Sequence, residues 1–218
     1  MPPAAVVSNT NFPAPLAILG FLAACAGLFV ALASILIFWF AGKPKFARFA
    51  VYALVAGAVA YSGLLFGFSA ASHATTLARG QEKYFCEIDC HLAYSVLDVK
   101  EQDVNAQPGG RYVVTLRTRF DETTISAQRP KGATLTPSPR DVRLLDAAGR
   151  EYKPVAIVGT PLLTPLKPGD SYTTELEFSV AQDATGLRLL LKTTPGWPDH
   201  VVIGDENSWL HKKTYFAL

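Results

Sequence analysis

The chain has 218 residues, 50% of them hydrophobic, with 20 basic and 18 acidic side chains and a net charge of +2. Every one of those charges lies beyond Gly42, and from Arg79 onward 17 basic residues face 18 acidic ones. A near-neutral charged portion without clustered positive residues argues against a nucleic-acid surface.

Residues 1–15, MPPAAVVSNTNFPAP, read as an external N-terminal tail. Leu16–Ala41 is an almost unbroken apolar run. As a helix it rises about 39 Å, enough to cross a hydrocarbon core of about 30 Å with some tilt. A cleaved signal peptide is the poorer reading, because the tail has no basic residue and the run is about twice the usual apolar length. A second run, Phe49 to Ser72, is equally free of charge. Residues 16–72 therefore read as a two-helix transmembrane hairpin with a cytoplasmic loop at 42–48. That loop carries Lys43, Lys45 and Arg48, and short Lys/Arg-rich loops stay inside. Both the N-terminus and everything after Ser72 then lie outside, which in a bacterium is the periplasmic side of the inner membrane.

Small residues recur at four-residue spacing within the runs, as Gly20/Ala24, Gly27/Ala31 and Gly63/Gly67. Such faces let helix backbones approach closely in lipid, either within the hairpin or against a larger membrane complex. Trp39, Phe40 and Phe46 read as interfacial aromatics. Cys25, inside the first run, reads as a buried, inert thiol.

Residues 73–85 read as a connector, and 86–218 as one external domain with the period of strands. In RYVVTLRTRF, Tyr112, Val114, Leu116, Thr118 and Phe120 share one face, while Arg111, Thr115, Arg117 and Arg119 share the other. SYTTELEFSV sets Tyr172, Leu176, Phe178 and Val180 against Glu175 and Glu177. Shorter strands are expected over 92–99, 141–146, 151–158, 186–192 and 200–204. Turns at Pro108-Gly109-Gly110, Asp146 to Gly149, Pro168-Gly169-Asp170 and Pro195-Gly196 separate them, and ISAQRPKGATLTPSPR reads as a long loop. This punctuation predicts two transmembrane α-helices followed by an all-β, antiparallel sandwich.

The order of GRYVVTLRTRF, VRLLDAAGREY, LKPGDSYTTELEFSV and GLRLLL resembles the immunoglobulin-like modules of bacterial extracytoplasmic proteins, many of them of unknown function. Those modules show a long central strand, a D-x-x-G-x-x-Y hairpin and a P-G turn into an alternating strand. The resemblance covers roughly residues 92–192. It implies an immunoglobulin-like fold with an adhesive or scaffolding role, and it carries no shared catalytic residues.

KYFCEIDCHLAY holds Cys86, Cys90 and His91. Outside the membrane, nearby thiols tend to oxidise. A Cys86–Cys90 bridge requires residues 87–89 to turn, since in a strand the two α-carbons would stand about 13 Å apart. The alternative is a copper or zinc site using Cys86, Cys90 and His91. The layout of two spans and an external β-domain is similar to cytochrome oxidase subunit II, whose copper centre uses a C-x-x-x-C segment. Here the only methionine is Met1, Tyr94 stands where that family has a histidine, and the pair precedes the β-domain. The Asp205–His211 segment reads as a turn with Trp209 and Phe216 packing on the domain, or as a calcium site built from Asp and Asn oxygens. His73 and His200 stand alone. The reading as a whole is a non-catalytic membrane protein without a cofactor. Its partners would be the lipid bilayer and other membrane or envelope proteins, with itself as an accessory subunit; a metal-handling or thiol-redox factor is the alternative.

Overall fold

The computed structural model describes residues 7–86, 90–102, 110–125, 130, 132–194 and 196–218. The expected 87–89 turn, part of the Pro108-Gly109-Gly110 turn, part of the 125–140 loop and Pro195 lie outside these described residues. The chain forms two compact units. One takes in residues up to Thr10, then His73–Pro195 and Lys212–Leu218; the other takes in Asn11–Ser72 and Gly196–His211.

The second unit is built on two long helices, α1 (Ala14–Phe40) and α2 (Pro44–Ala71). Both are long and apolar enough to cross a membrane, and few of their side chains are buried. Prolines in the first turn of each helix fit, because the amide they lack has no partner there anyway. Between the helices the chain needs only Ala41, Gly42 and Lys43, so the expected 42–48 loop is mostly the first turn of α2. Gly42 adopts a left-handed φ of 67°. Its amide donates to the Trp39 carbonyl (3.1 Å) and that of Lys43 to the Phe38 carbonyl (2.9 Å). These two bonds satisfy helix-end carbonyls that would otherwise be orphaned. Phe38 packs on Phe46 across the connection, with ring centroids 5.5 Å apart. Cys25, expected to be buried, is exposed on α1.

Among its described residues the first unit holds eleven strands: β1 (Val7–Ser8), β2 (Thr75–Leu77), β3 (Lys83–Phe85), β4 (Leu92–Gln102), β5 (Gly110–Phe120), β6 (Arg140–Leu145), β7 (Glu151–Tyr152), β8 (Ala156–Gly159), β9 (Ser171–Val180), β10 (Arg188–Thr193) and β11 (Thr214–Ala217). They form a six-stranded sheet in the order β1-β3-β4-β5-β9-β8 and a five-stranded sheet in the order β2-β11-β10-β6-β7. The apolar faces read from β5 and β9 meet those of β6, β10 and β11 in one core, where Leu116, Phe120, Leu144, Leu176, Phe178, Leu189 and Phe216 are fully buried.

The sheets are mixed, which corrects the all-antiparallel expectation. β1 runs parallel to β3, and β2 runs parallel to β11. Parallel neighbours need a long crossover, and both have one. The helical hairpin separates β1 from β3, and almost the whole domain separates β2 from β11. The expected connector at 73–85 thus carries two strands, each too short for a period-2 pattern. Residues 151–158, read as one strand, are two. Pro154 cannot donate to a ladder, and the chain leaves the five-stranded sheet at β7 to join the six-stranded sheet at β8. The expected strand at 200–204 is absent: a short 3-10 turn (Asp199–Val201) stands there, in the helical unit.

The D-x-x-G-x-x-Y pattern has a physical basis. The Asp146 carboxylate is buried and accepts from the Arg150 amide (2.9 Å), Arg150 Nε (2.6 Å) and the Tyr152 hydroxyl (3.0 Å). Gly149, with φ 81°, makes the reversal that brings these donors round.

Candidate functional site

Cys86 and Cys90 are joined by a disulfide, with α-carbons 4.1 Å apart. The bridge closes the end of the antiparallel β3–β4 pair, whose last register partners are Phe85 and Leu92. The Cys86 amide donates to Asn9 Oδ1 (2.7 Å), so the strand after the helices is tied to the segment before them. His91, read as a candidate ligand, is buried. Its ring stacks on Phe120 at 5.4 Å, and Nδ1 lies 2.6 Å from Thr124 Oγ1. With both sulfurs in the bridge, neither is a thiolate, the form that binds copper or zinc. Among the described residues no group of three or more His, Cys, Asp or Glu side chains is placed to hold a metal ion.

Beside the disulfide, the outer face of the six-stranded sheet carries a polar network that the sequence reading missed. Alternation on β5 turns Arg117 and Arg119 to this face, and β3 contributes Tyr84 next to Glu82. Glu82 Oε1 accepts from Arg117 (3.0 Å) and Arg119 Nε (2.8 Å), and Oε2 accepts from Arg119 (2.7 Å). Arg119 also donates to the Tyr84 hydroxyl (2.9 Å) and to Asp121 Oδ2 (3.1 Å). Tyr84 donates to the same Asp121 oxygen at 2.5 Å. The other oxygen, Oδ1, accepts from the amide (3.0 Å) and hydroxyl (2.7 Å) of Thr123 and so caps a 3-10 turn.

The network sets protonation. Hydrogen bonding from Arg119 holds Glu82 below the usual carboxylate range. Burial would raise Asp121, but hydrogen bonds from Tyr84, Thr123 and Arg119 outweigh it and hold the carboxyl far below that range. Burial, reinforced by donation to Asp121, pushes the Tyr84 phenol up. The Arg119 guanidinium is held charged, chiefly by its bond to Glu82. Both carboxylates are thus held charged against guanidinium and hydroxyl donors, while the Arg117 Nε is buried without a partner.

A buried lysine is the second feature missed. Lys83 is fully buried and its Nζ donates to the Leu191 carbonyl at 2.7 Å, linking β3 of one sheet to β10 of the other. The cation also lies 5.0 Å from the Phe85 ring centroid. No sequence signal separates this lysine from a solvated one; only the inward position of Phe85, two residues on, hints at its direction.

At the opposite edge of the same sheet, β8 is the terminal strand and reads Ala-Ile-Val-Gly, without a charge. Ile157 pairs in register with the buried Leu176, on the core side, yet is 56% exposed; Val155, just before the strand, is 61% exposed. The apolar face of the sheet therefore continues past the point where the core covers it.

The remaining candidates are dispersed. Lys43, Lys45 and Arg48 are exposed where the two helices join. Ala24 and Ala31 are partly covered on α1, but a methyl group added at Gly20, Gly27, Gly63 or Gly67 would meet nothing within 4 Å. In the Asp205–His211 segment, Asp205 Oδ1 accepts from the Asn207 amide (2.7 Å) in a tight turn. Phe216 is in the β core as expected, whereas Trp209 is exposed. Comparison with protein-family models, with curated proteins and with solved structures finds no match for this chain.

Proposed function

We propose that this chain is a two-span protein of the bacterial inner membrane that presents an immunoglobulin-like domain on the outer side for contact with another membrane or envelope protein. The apolar surfaces of α1 and α2 favour a lipid surround, because a soluble chain rarely exposes so large a patch. The exposed Lys43, Lys45 and Arg48 favour keeping the hairpin turn in the cytoplasm. The role is contact rather than catalysis, as an accessory subunit.

The observation that carries the contact reading is the edge at β8. Soluble β proteins blunt their edges with charge, and here Lys153 and Pro154 guard only the approach. An extended segment of a partner would add beside β8 and cover Val155 and Ile157. The test places a photo-crosslinking residue at Val158 in the intact membrane. One stoichiometric partner should crosslink there and co-purify in mild detergent. Ile157→Lys should abolish co-purification while leaving the melting of the β unit unchanged. A chain that purifies alone and crosslinks to nothing from this edge contradicts the proposal. Stoichiometric copper or zinc, retained by the chain and lost on replacing Cys86 and Cys90, would move the reading to a metal-handling or redox factor.

A further inference from the structure

The segment Gly196–His211 groups with the helices rather than with the strands that flank it in sequence. Its attachment is specific. The Tyr61 hydroxyl donates to the Val201 carbonyl at 2.7 Å, the Asn11 amide donates to the Gly204 carbonyl at 3.0 Å, and the Asn11 side chain donates to the Phe68 carbonyl at 2.8 Å. At Gly204, with φ 75°, a β-carbon would stand 2.5 Å from that of Phe12, so only glycine allows this approach. Phe12 packs edge-on against Phe68 beside it, at 4.8 Å.

Two properties of this lobe are unusual. The first is depth. Tyr61 precedes the last residue of α2 by ten positions, about 15 Å along the helix axis, so the lobe lies alongside the helix and not on its end. The second is inversion. Glu206, Asn207 and Ser208 are buried, while Trp197 (78%), Trp209 (53%) and Leu210 (75%) are exposed. Leu210 holds a left-handed φ of 67°, a conformation costly for a residue with a β-carbon, and its side chain is largely exposed. Ile203 is also buried in the lobe, but a lobe bathed in water has no reason to hold Glu206, Asn207 and Ser208 inside and both tryptophans outside.

We infer that Gly196–His211 is an interfacial anchor that seats Trp197, Trp209 and Leu210 in the headgroup–acyl boundary of the outer leaflet. This inference rests on the reading of α1 and α2 as spans. Tryptophan is suited to that boundary, where its ring is apolar and its N–H finds water or an ester oxygen. The lobe has no Lys or Arg, and it carries Asp199, Asp205 and Glu206. Recognition therefore comes from insertion of apolar rings, not from attraction to anionic headgroups, and zwitterionic lipid suffices. The lobe fixes how deep the outer end of the hairpin sits and leaves the chain free to re-enter the β unit at Lys212.

The test uses the three tryptophans of the full chain in nanodiscs of phosphatidylcholine with brominated acyl chains. In Trp39→Phe the two lobe tryptophans are the only reporters. Their emission should be blue-shifted, and bromine near the glycerol end should quench it about twofold or more over bromine at the chain middle. Part of the phosphatidylcholine replaced by phosphatidylglycerol should change nothing. Solvent-like emission open to acrylamide overturns the inference, and so does blue-shifted emission that no bromolipid quenches, since a second copy would then cover the rings. The companion variant with Trp197→Phe and Trp209→Phe leaves Trp39 alone. Quenching of Trp39 with none in the lobe defeats the anchor but not the spans, whereas no quenching in either variant defeats the spans as well.

Discussion

The two units use the same residue types in opposite senses. In the β unit Phe120, Phe178 and Phe216 are fully buried, whereas in the helices Phe29, Phe40 and Phe49 lie on the surface. Charge divides the same way: the helical hairpin holds Lys43, Lys45 and Arg48 at its turn and no other charge, while both outer sheet faces are laced with ion pairs. The contrast shows that apolar content alone does not decide what a segment buries. Period decides it. A period-2 pattern has a polar side to give to water, and a run apolar on every face has none, as in these two helices long and apolar enough to cross a membrane.

The largest expected effect tests that contrast directly. Phe178→Ala should lower the unfolding free energy of the β unit by about 3–5 kcal/mol, the usual loss on emptying an aromatic core position. Phe29→Ala, the same truncation at an exposed ring on α1, should leave β-unit unfolding unmoved. Urea unfolding of the full chain in nanodiscs, followed by the strand circular dichroism signal, measures both. A comparable drop for the two variants would break the comparison.

The polar network comes next. Asp121→Asn should cost about 1–3 kcal/mol, because Arg119 and Tyr84 lose the charged partner they share. Its pH dependence has a definite sign. Glu82 and Asp121 are held below their unfolded values of about 4, so their contribution is present above that pH and is lost as the pH falls below it. Tyr84 is raised, so its contribution holds below its unfolded value of about 10 and fades as the pH rises beyond it. The urea midpoint should fall from pH 5 to pH 3, and less steeply in Asp121→Asn. An unchanged acid slope in that variant would remove Asp121 from the account.

Replacing Cys86 and Cys90 together by Ser should cost about 1–2 kcal/mol and leave the fold intact, since the loop that the bridge closes is very short. The same unfolding curves check it; a loss of the cooperative transition would give the bridge a far larger role. The smallest effect belongs to the helices. Gly63→Ala with Gly67→Ala should change the stability of the isolated chain by no more than about 0.5 kcal/mol, because neither methyl meets a neighbour. A loss of several kcal/mol would show that this face is packed within the chain itself.

What could be read from the residues follows from pattern length. Strand β9 matches the expected SYTTELEFSV end to end, and β5 differs from RYVVTLRTRF by one residue, because ten alternating positions leave little freedom of register. The helices were as plain. Strands β1, β2, β3 and β11, of two to four residues, left no period to detect, and their pairing is decided by partners up to about 140 residues away. The disulfide was legible from the spacing of Cys86 and Cys90 once the compartment was inferred. The Glu82–Tyr84–Arg119–Asp121 network was not, since its members come from two strands and a turn whose adjacency only the sheet order supplies. The tryptophan lobe was invisible for a related reason. The residues read as a strand at 200–204 give the Val201 carbonyl to Tyr61 on a helix, far away in sequence.

The central claim is that the chain crosses the membrane twice and carries its β unit outside. A protease-cleavable tag placed after Leu218 tests it most directly, in intact spheroplasts treated with external protease. The account predicts that the tag is digested while a cytoplasmic control protein survives. A tag protected in intact spheroplasts and cleaved only after lysis would contradict it.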